Sequence, residues 1–188
     1  MHLQRVLIGA VVALLAGCAD TPATGPTTSS AKVTEFQGEY RFLSNFWPAR
    51  VEFEGMTYPT AEHAYQAAKS LDPSERRRIA ALATPADAKR EGRKLALRSD
   101  WETAKFVVME QIVRDKFTRN GDLRAKLLET GDAQLEEGNN WGDTTWGVVN
   151  GVGENRLGKI LMKVRKELRK ADQEGERQDA KPPGTNDK

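Results

Sequence analysis

Residues 51–70 read VEFEGMTYPTAEHAYQAAKS, and within this stretch a strand pattern gives way to a helix pattern. Val51 and Phe53 alternate with polar residues, Glu54 and Gly55 have the composition of a tight turn, and apolar residues resume after them, which predicts a hairpin. Thr60 then precedes an alanine-rich run and is expected to cap a helix. A hairpin that leads directly into a helix favours an α+β arrangement over alternating βαβ units.

Helical patterns also fill most of the chain after residue 80. We predict one helix from Thr84 to about Arg98, one opened by a capping box over 99–102, one capped by Asn120 and one over 157–168. Residues 131–153 lack a helical period and are rich in Gly, Asn and Trp, so we expect a long loop with short strands there. The sequence therefore predicts a mostly helical single α+β domain with a small antiparallel sheet.

The ends of the chain differ from its middle in composition. Residues 1–18 carry a short apolar run typical of a bacterial secretion signal, and 19–32 are rich in Pro, Thr and Ser and predict a flexible tether. We expect the folded domain over 33–170 and a disordered polar tail over 171–188.

The tetrapeptide at residues 15–18, Leu-Ala-Gly-Cys, resembles a lipobox, in which the cysteine receives the lipid. Lipidation of Cys18 predicts a protein anchored in the cell envelope. Two alternatives stay open: a plain signal peptide with an accidental cysteine, and a cytoplasmic protein whose true start lies downstream, for example at Val33.

Composition excludes several classes of protein. The chain of 188 residues has 29 Lys and Arg against 27 Asp and Glu, and a net charge of +2 provides no basic surface for duplex nucleic acid. A single cysteine rules out an intramolecular disulfide. With two histidines, one of them in the signal segment, we predict no zinc site. No glycine-rich phosphate loop follows a predicted strand, and no cofactor is expected.

Polar residues on the helix after Thr60 are the first candidates for chemistry. Glu62, Gln66 and Lys69 are spaced four and three residues apart and share one stripe of the helix. The alternative is an ordinary solvated helix face. For His63, beside them, a core or surface position is expected.

The loop after residue 140 holds the second group of candidates. Trp141-Gly142-Asp143-Thr144-Thr145-Trp146-Gly147 places two indoles beside a carboxylate. Such rings in a glycine-rich loop either cover the core or stack on a ligand. An aromatic face next to a carboxylate is what a site for a flat heterocycle joined to ribose requires.

Several segments in fixed order resemble the NADAR family of YbiA-like proteins. They are GEYRFLSNF at 38–46, TAEHAYQAAK at 60–69, the tryptophan loop at 143–147 and NRLGKILM at 155–162. The resemblance covers about residues 35–169. It implies a compact α+β domain that cleaves N-glycosidic bonds, in riboflavin-pathway ribosylamino-pyrimidine phosphates or in ADP-ribosylated guanine.

The resemblance also implies roles for individual residues. Such cleavage passes through an oxocarbenium-like ribose, which a carboxylate must stabilise. We assign Glu62 as base or cation stabiliser and Asp143 as the second carboxylate, and the proposed substrate contacts are Trp101, Trp146, Lys69, Arg41, Ser44 and Asn45. Two other functions stay open: a non-catalytic module that binds ADP-ribose or NAD, and a structural envelope lipoprotein. The oligomeric state is not predicted.

Overall fold

A computed structural model describes residues 31–179. Within this part of the chain, helices dominate and the strands are short, which confirms the predicted α+β class. In chain order the elements are β1 (Lys32–Val33), a 3₁₀ helix (Gly38–Leu43), β2 (Pro48–Phe53), β3 (Met56–Thr60), α1 (Ala61–Ala67), α2 (Pro73–Ala80), α3 (Pro85–Gly92), α4 (Trp101–Arg119), α5 (Gly121–Glu129), β4 (Gln134–Leu135) and α6 (Arg156–Asp179).

The predicted hairpin is confirmed and is the antiparallel sheet of the fold. β2 pairs with β3, with Val51 opposite Tyr58 and Phe53 opposite Met56. Glu54 and Gly55 form the turn with φ angles of 47° and 74°, a left-handed conformation that suits a tight hairpin connection. Because side chains alternate along a strand, Val51, Phe53 and Tyr58 all point into the core.

A second pair of strands was not predicted. β1 and β4 pair in parallel, with Lys32 opposite Gln134 and Val33 opposite Leu135. Each strand has only two residues, and about a hundred residues separate the partners in sequence. Neither strand is long enough for a period-two pattern, which explains why the sequence does not reveal this pairing.

The region between α1 and α4 departs from the prediction. α2 was missed, although Asp72 accepts a hydrogen bond from the Ser74 amide at 2.8 Å and Pro73 follows it, a normal helix start. α3 begins as predicted, with Thr84 Oγ1 accepting from the Asp87 amide at 3.1 Å. It ends at Gly92 and not near Arg98.

The predicted capping box over 99–102 is wrong. α4 starts after Asp100, whose side chain makes no cap bond because its carboxylate binds the Arg98 guanidinium at 2.6 Å. Glu102, the expected reciprocal acceptor, pairs instead with Lys105. The helix itself is confirmed: Met109, Val113 and Phe117 are buried, and Phe106 is half-buried.

The C-terminal helix is confirmed and is longer than expected. α6 continues to Asp179, so the prediction of a disordered tail is wrong for residues 171–179. Its inner stripe, Leu157, Leu161, Val164 and Leu168, is buried. The predicted signal segment, Cys18 and the rest of the tether and tail lie outside the described residues. None of the described helices has both the length and the hydrophobicity needed to cross a membrane.

α1 lies at the centre of the fold. All seven of its residues are buried, and it packs against the hairpin and against α2, α3 and α4. A helix surrounded in this way would ordinarily be apolar on every side. In α1, however, Glu62, His63 and Gln66 are buried as well, and this places the candidate site within the fold.

Candidate active site

One cavity of about 800 Å³ opens between five parts of the fold. Its walls come from the loop around the 3₁₀ helix, from α1, from α3, from Met109 of α4 and from the loop after β4. The predicted residues that line it are Arg41, Ser44, Asn45, Glu62, Lys69, Asp143 and Trp146.

The N-terminus of α1 is fixed on both sides. Thr60 Oγ1 accepts from the His63 amide at 3.2 Å, which confirms the predicted cap. The Glu62 amide donates to the Asn45 carbonyl at 3.0 Å, which joins the first turn of α1 to the loop after the 3₁₀ helix. These bonds set the direction in which the Glu62 side chain leaves the helix.

Glu62 is the most deeply buried carboxylate of the cavity. Its side chain accepts a 2.7 Å hydrogen bond from Gln66 Nε2. Burial raises the pKa of Glu62 above its ordinary value, and the Gln66 bond, Lys89 and Lys69 act in the opposite direction. With 6% of Glu62 and 4% of Gln66 exposed, the alternative of a solvated helix face is wrong.

Asp143 shapes the tryptophan loop with one of its two oxygens. Oδ1 accepts from the amides of Thr145 at 3.1 Å and Trp146 at 2.9 Å. Asn139 holds the same residue through its own side chain, which accepts from the Asp143 amide and donates to its carbonyl. No donor among residues 31–179 contacts Oδ2, which is available to a ligand.

The two predicted tryptophans occupy different places. Trp146 lines the cavity, and its ring centroid lies 5.5 Å from that of Tyr65 and 5.7 Å from that of Phe106. Trp101 lies in the core, 5% exposed, with its ring 5.2 Å from Tyr65 and away from the cavity wall. A substrate contact by Trp101 is therefore not supported, because Tyr65 occupies the position between core and cavity.

Several parts of the cavity wall contribute positive charge, partly from residues that sequence reasoning missed. Lys69, two residues beyond the end of α1, is joined by Lys89 and Arg90 of α3 and by Arg93 immediately after that helix, and Arg41 comes from the 3₁₀ helix. Burial lowers the pKa of Lys69, against the attraction of Glu62. The spacing of four residues between Lys89 and Arg93 was a visible signal, because it places both on one face of the helix predicted from Thr84 to about Arg98.

Lys89 also lies between two aromatic rings. Its Nζ is 5.6 Å from the centroid of Phe46 and 5.8 Å from that of Trp141. Both distances are within the range of a cation–π contact. The ammonium thus occupies an aromatic slot beside the cavity.

The loop that carries Ser44 and Asn45 is held by a buried lysine. Lys116, which is fully buried, donates from Nζ to the carbonyls of Phe42 at 2.7 Å and Ser44 at 2.8 Å. Burial without a described acidic partner lowers the pKa of Lys116 to about 7. Asn45 Nδ2 contacts Met109 Sδ at 3.3 Å, and its Oδ1 has no donor within residues 31–179.

Glu137 is a third carboxyl group in the cavity and was missed. It follows β4 in a segment without a regular period, so nothing in the sequence separated it from its neighbour Glu136. Burial, together with repulsion from Asp143 and Glu62, raises the pKa of Glu137 to about 8. Three carboxyl groups therefore share one cavity.

His63 is a structural residue, as expected. Its ring lies 2.8 Å from Thr60 Oγ1 through Nδ1 and 3.1 Å from the Leu82 carbonyl through Nε2. Among the residues that the structure describes, no three His, Cys, Asp or Glu side chains are placed to hold a metal ion.

Comparison with known proteins identifies the family. The model of the NADAR domain matches residues 33–169. The chain belongs to the NADAR family. It is 43% identical over 135 residues to N-glycosidase YbiA of Shigella boydii serotype 4 (strain Sb227), a match that spans 69% of this chain and 82% of that protein.

Two further NADAR relatives extend the comparison. The NMR structure of E. coli YbiA superposes with a TM-score of 0.68 at 38% identity, covering 76% of this chain and 86% of the other. Riboflavin biosynthesis protein VVA0006 of Vibrio vulnificus (strain YJ016) is 40% identical over 130 residues, which are 68% of this chain and 35% of that longer protein. The NADAR fold, with its small antiparallel hairpin among helices, is therefore shared with a solved structure.

Proposed function

We propose that this NADAR protein is a hydrolase that cleaves the bond between a base and ribose in a nucleotide-like substrate. The observation that carries the proposal is a single cavity lined by the buried Glu62, by Asp143 and by the indole of Trp146. Relatives named N-glycosidase, 43% identical in the case of the Shigella protein, support the same activity.

The chemistry needs a carboxylate beside C1′ of the ribose. Breaking the glycosidic bond leaves an oxocarbenium-like centre, which an anion stabilises and which water must then attack. Glu62 is proposed for this role, because its buried carboxylate acts in a low-dielectric site where charge stabilisation is strong. Its raised pKa also brings it nearer to neutrality, as suits a group that accepts a proton from water.

The remaining walls suit the other parts of such a substrate. Trp146 is proposed to contact the planar base, and Asp143 Oδ2 to orient water or the ribose hydroxyls. Arg41 and Lys69 are proposed to meet phosphate oxygens, and we propose the same for Lys89 and Arg93, which line the same cavity. Ser44 and Asn45 would supply hydrogen bonds from the neighbouring loop. The reaction as proposed requires no metal and no cofactor.

Two substrate classes are proposed for this cavity: a ribosylamino-pyrimidine phosphate of the riboflavin pathway, and ADP-ribosylated guanine. The name of the Vibrio relative supports the first class. A non-catalytic module that binds ADP-ribose or NAD is the second candidate function, and the aromatic slot around Lys89 is the observation that favours it. A purely structural lipoprotein is disfavoured, because the cavity is open and is not filled by side chains.

Replacing Glu62 by Gln tests the catalytic proposal. The amide keeps the shape and a polar partner for Gln66 but removes the charge. We expect release of base from the two candidate substrates to fall by at least ~100-fold, with an unchanged melting profile. Glu129→Gln, a matched change on the exposed face of α5, should leave turnover at the wild-type rate.

Two outcomes would decide against the proposal. If Glu62→Gln retains turnover on a substrate that the wild type cleaves, Glu62 is not the catalytic carboxylate. If the wild type releases no base from either substrate yet binds ADP-ribose in calorimetry, the protein is a binding module.

We also propose that Cys18 carries a lipid that anchors the domain in the cell envelope. Mass spectrometry of the native N-terminus tests this directly. A lipid-modified fragment beginning at Cys18 is the expected result, and an unmodified N-terminus near Val33 would instead support a cytoplasmic protein.

A further inference from the structure

Glu137 has a main chain held by hydrogen bonds and a carboxyl group that has no hydrogen-bond partner among the described residues. Its amide donates to Asn155 Oδ1 at 3.1 Å, and its carbonyl accepts from the Val148 amide at 2.9 Å. Its carboxyl group lines the cavity and makes no hydrogen bond or ion pair within residues 31–179. A carboxyl group that served the fold would use its oxygens as acceptors, as Asp143 does.

The packing around this backbone is tight enough to fix its position. A Cβ at Gly147 would lie 2.2 Å from the Glu137 carbonyl oxygen, and one at Gly138 would lie 2.2 Å from the Thr34 carbonyl oxygen. Only glycine permits these approaches. The segment around Glu137 is therefore held on both sides by main chain, which is the rigid support that a catalytic group requires.

The charges around Glu137 differ from those around Glu62. Burial raises the pKa of Glu62, and the hydrogen bond from Gln66 together with the charges of Lys89 and Lys69 opposes that effect by favouring the ionised form. Burial and repulsion from two carboxylates raise the pKa of Glu137 to about 8, and of the groups around it only Lys89 opposes the shift, which favours the protonated form at neutral pH. Glu62 thus has a hydrogen-bond donor and two cations to stabilise its charge, whereas Glu137 has no donor among the described residues and one cation, a difference that suits opposite roles in acid–base catalysis.

We propose that Glu137 is the general acid that protonates the leaving base, an assignment that rests on the N-glycosidase activity proposed above. The bond between C1′ and the base nitrogen breaks, its electron pair goes to that nitrogen, and the nitrogen takes the proton of Glu137. Water adds to C1′ and gives a proton to Glu62. Transfer of that proton through solvent to Glu137 restores both groups, and the sum is base–ribose plus water giving free base plus ribose.

A pH profile of the Glu137→Gln variant tests the role. In the wild type, kcat/KM for release of base from a ribosylamino-pyrimidine phosphate or from ADP-ribosylated guanine should fall above about pH 8, where Glu137 loses its proton. The Gln variant should lose ~100-fold or more in kcat at neutral pH and should lack this alkaline decline. Glu137→Asp, which keeps an acid at a shorter reach, should recover part of the rate.

Glu136 provides the matched control, because it is one residue away and pairs with Lys32 at 3.1 Å outside the cavity. Glu136→Gln should keep both the wild-type rate and the alkaline decline. If the wild type is active and Glu137→Gln keeps them as well, the general-acid role is refuted while the proposed hydrolase activity stands.

A titration that needs no substrate distinguishes failure of the general-acid assignment from failure of the proposed hydrolase function. In protein labelled with ¹³C at the glutamate carboxyl carbon, one signal should titrate near pH 8 and disappear in Glu137→Gln. Titration of that signal near the ordinary value for glutamate would overturn the assignment, whatever activity is found. Absence of base release from the wild type would instead overturn the proposed function and the assignment with it.

Discussion

Gln66 donates a 2.7 Å hydrogen bond from Nε2 to Glu62, one turn away on α1, while its other side-chain atom faces Gly92 on α3. A Cβ at Gly92 would lie 2.1 Å from Gln66 Oε1. The position of Gln66, and through it the orientation of the Glu62 carboxylate, thus depends on the absence of a Cβ at Gly92 in the neighbouring helix.

Gly92→Ala should therefore impair the site without changing any polar group. The added methyl must displace Gln66, and we expect a loss of about 1–3 kcal/mol in unfolding free energy together with lower turnover. Chemical denaturation and an activity assay measure the two effects. Gly175→Ala is the control, because a Cβ there meets nothing within 4 Å. Equal behaviour of the two variants would contradict the proposed link.

Lys116→Met should alter how stability depends on pH. The native pKa of Lys116, about 7, lies below the ordinary value of 10.5, so the unfolded chain binds more protons between these pH values. This lysine therefore makes the wild type more stable as pH rises through that window, by at most about 1.4 kcal/mol per pH unit. Urea unfolding at several pH values between about 7 and 10.5 should show that the free energy of unfolding rises more in the wild type than in Lys116→Met.

The matched comparison for Lys116 is Lys166→Met, a change at an exposed position on α6. Its stability should follow the wild type at every pH. If Lys116→Met follows the wild type as well, the buried amine does not titrate near neutrality.

Two substitutions at Asp143 should separate its role as a hydrogen-bond acceptor in the loop from the role of its negative charge. Asn keeps an oxygen that can accept from the amides of Thr145 and Trp146, whereas Ala removes it. We expect Asp143→Asn to stay within about 0.5 kcal/mol of the wild type and Asp143→Ala to lose about 1–2 kcal/mol. Both should lose activity if the charge is needed. An active Asn variant would show that only the loop geometry is required.

The two tryptophans should respond differently to truncation. Trp101→Ala removes a buried ring packed on Tyr65 and should cost about 3–5 kcal/mol of stability. Trp146→Ala should cost less stability but raise KM, because this ring lines the cavity. Thermal unfolding and steady-state kinetics on each variant distinguish the cases. A raised KM with normal stability for Trp101→Ala would reverse the assignment.

Much of the architecture is readable from local patterns. The hairpin, the Thr60 cap and the inner stripe of α6 each depend on residues close together in sequence. α2 could have been found from Asp72 and Pro73. The close approach of Gly92 in α3 to Gln66 in α1 could not be found in this way, because it joins residues that are far apart in sequence.

The site residues also fall into those that local sequence patterns reveal and those that only the folded structure identifies. The stripe on α1 and the tryptophan loop stand out by spacing and composition, and the cavity includes both. Trp101 was assigned to substrate because a sequence shows an indole but not what covers it. Glu137 is identical in type to Glu136 beside it, and only the fold decides that one faces the cavity while the other pairs with Lys32.

The short ladder between β1 and β4 makes the proposed site sensitive to where the polypeptide begins. The Gln134 amide donates to the Ala31 carbonyl and the Glu136 amide to the Val33 carbonyl, so the first described residues brace the segment that leads to Glu137. A polypeptide trimmed to begin at Val33 would lose the Ala31 acceptor and with it one rung of that brace. A chain that begins at Ala31 or earlier keeps both rungs beside the proposed site.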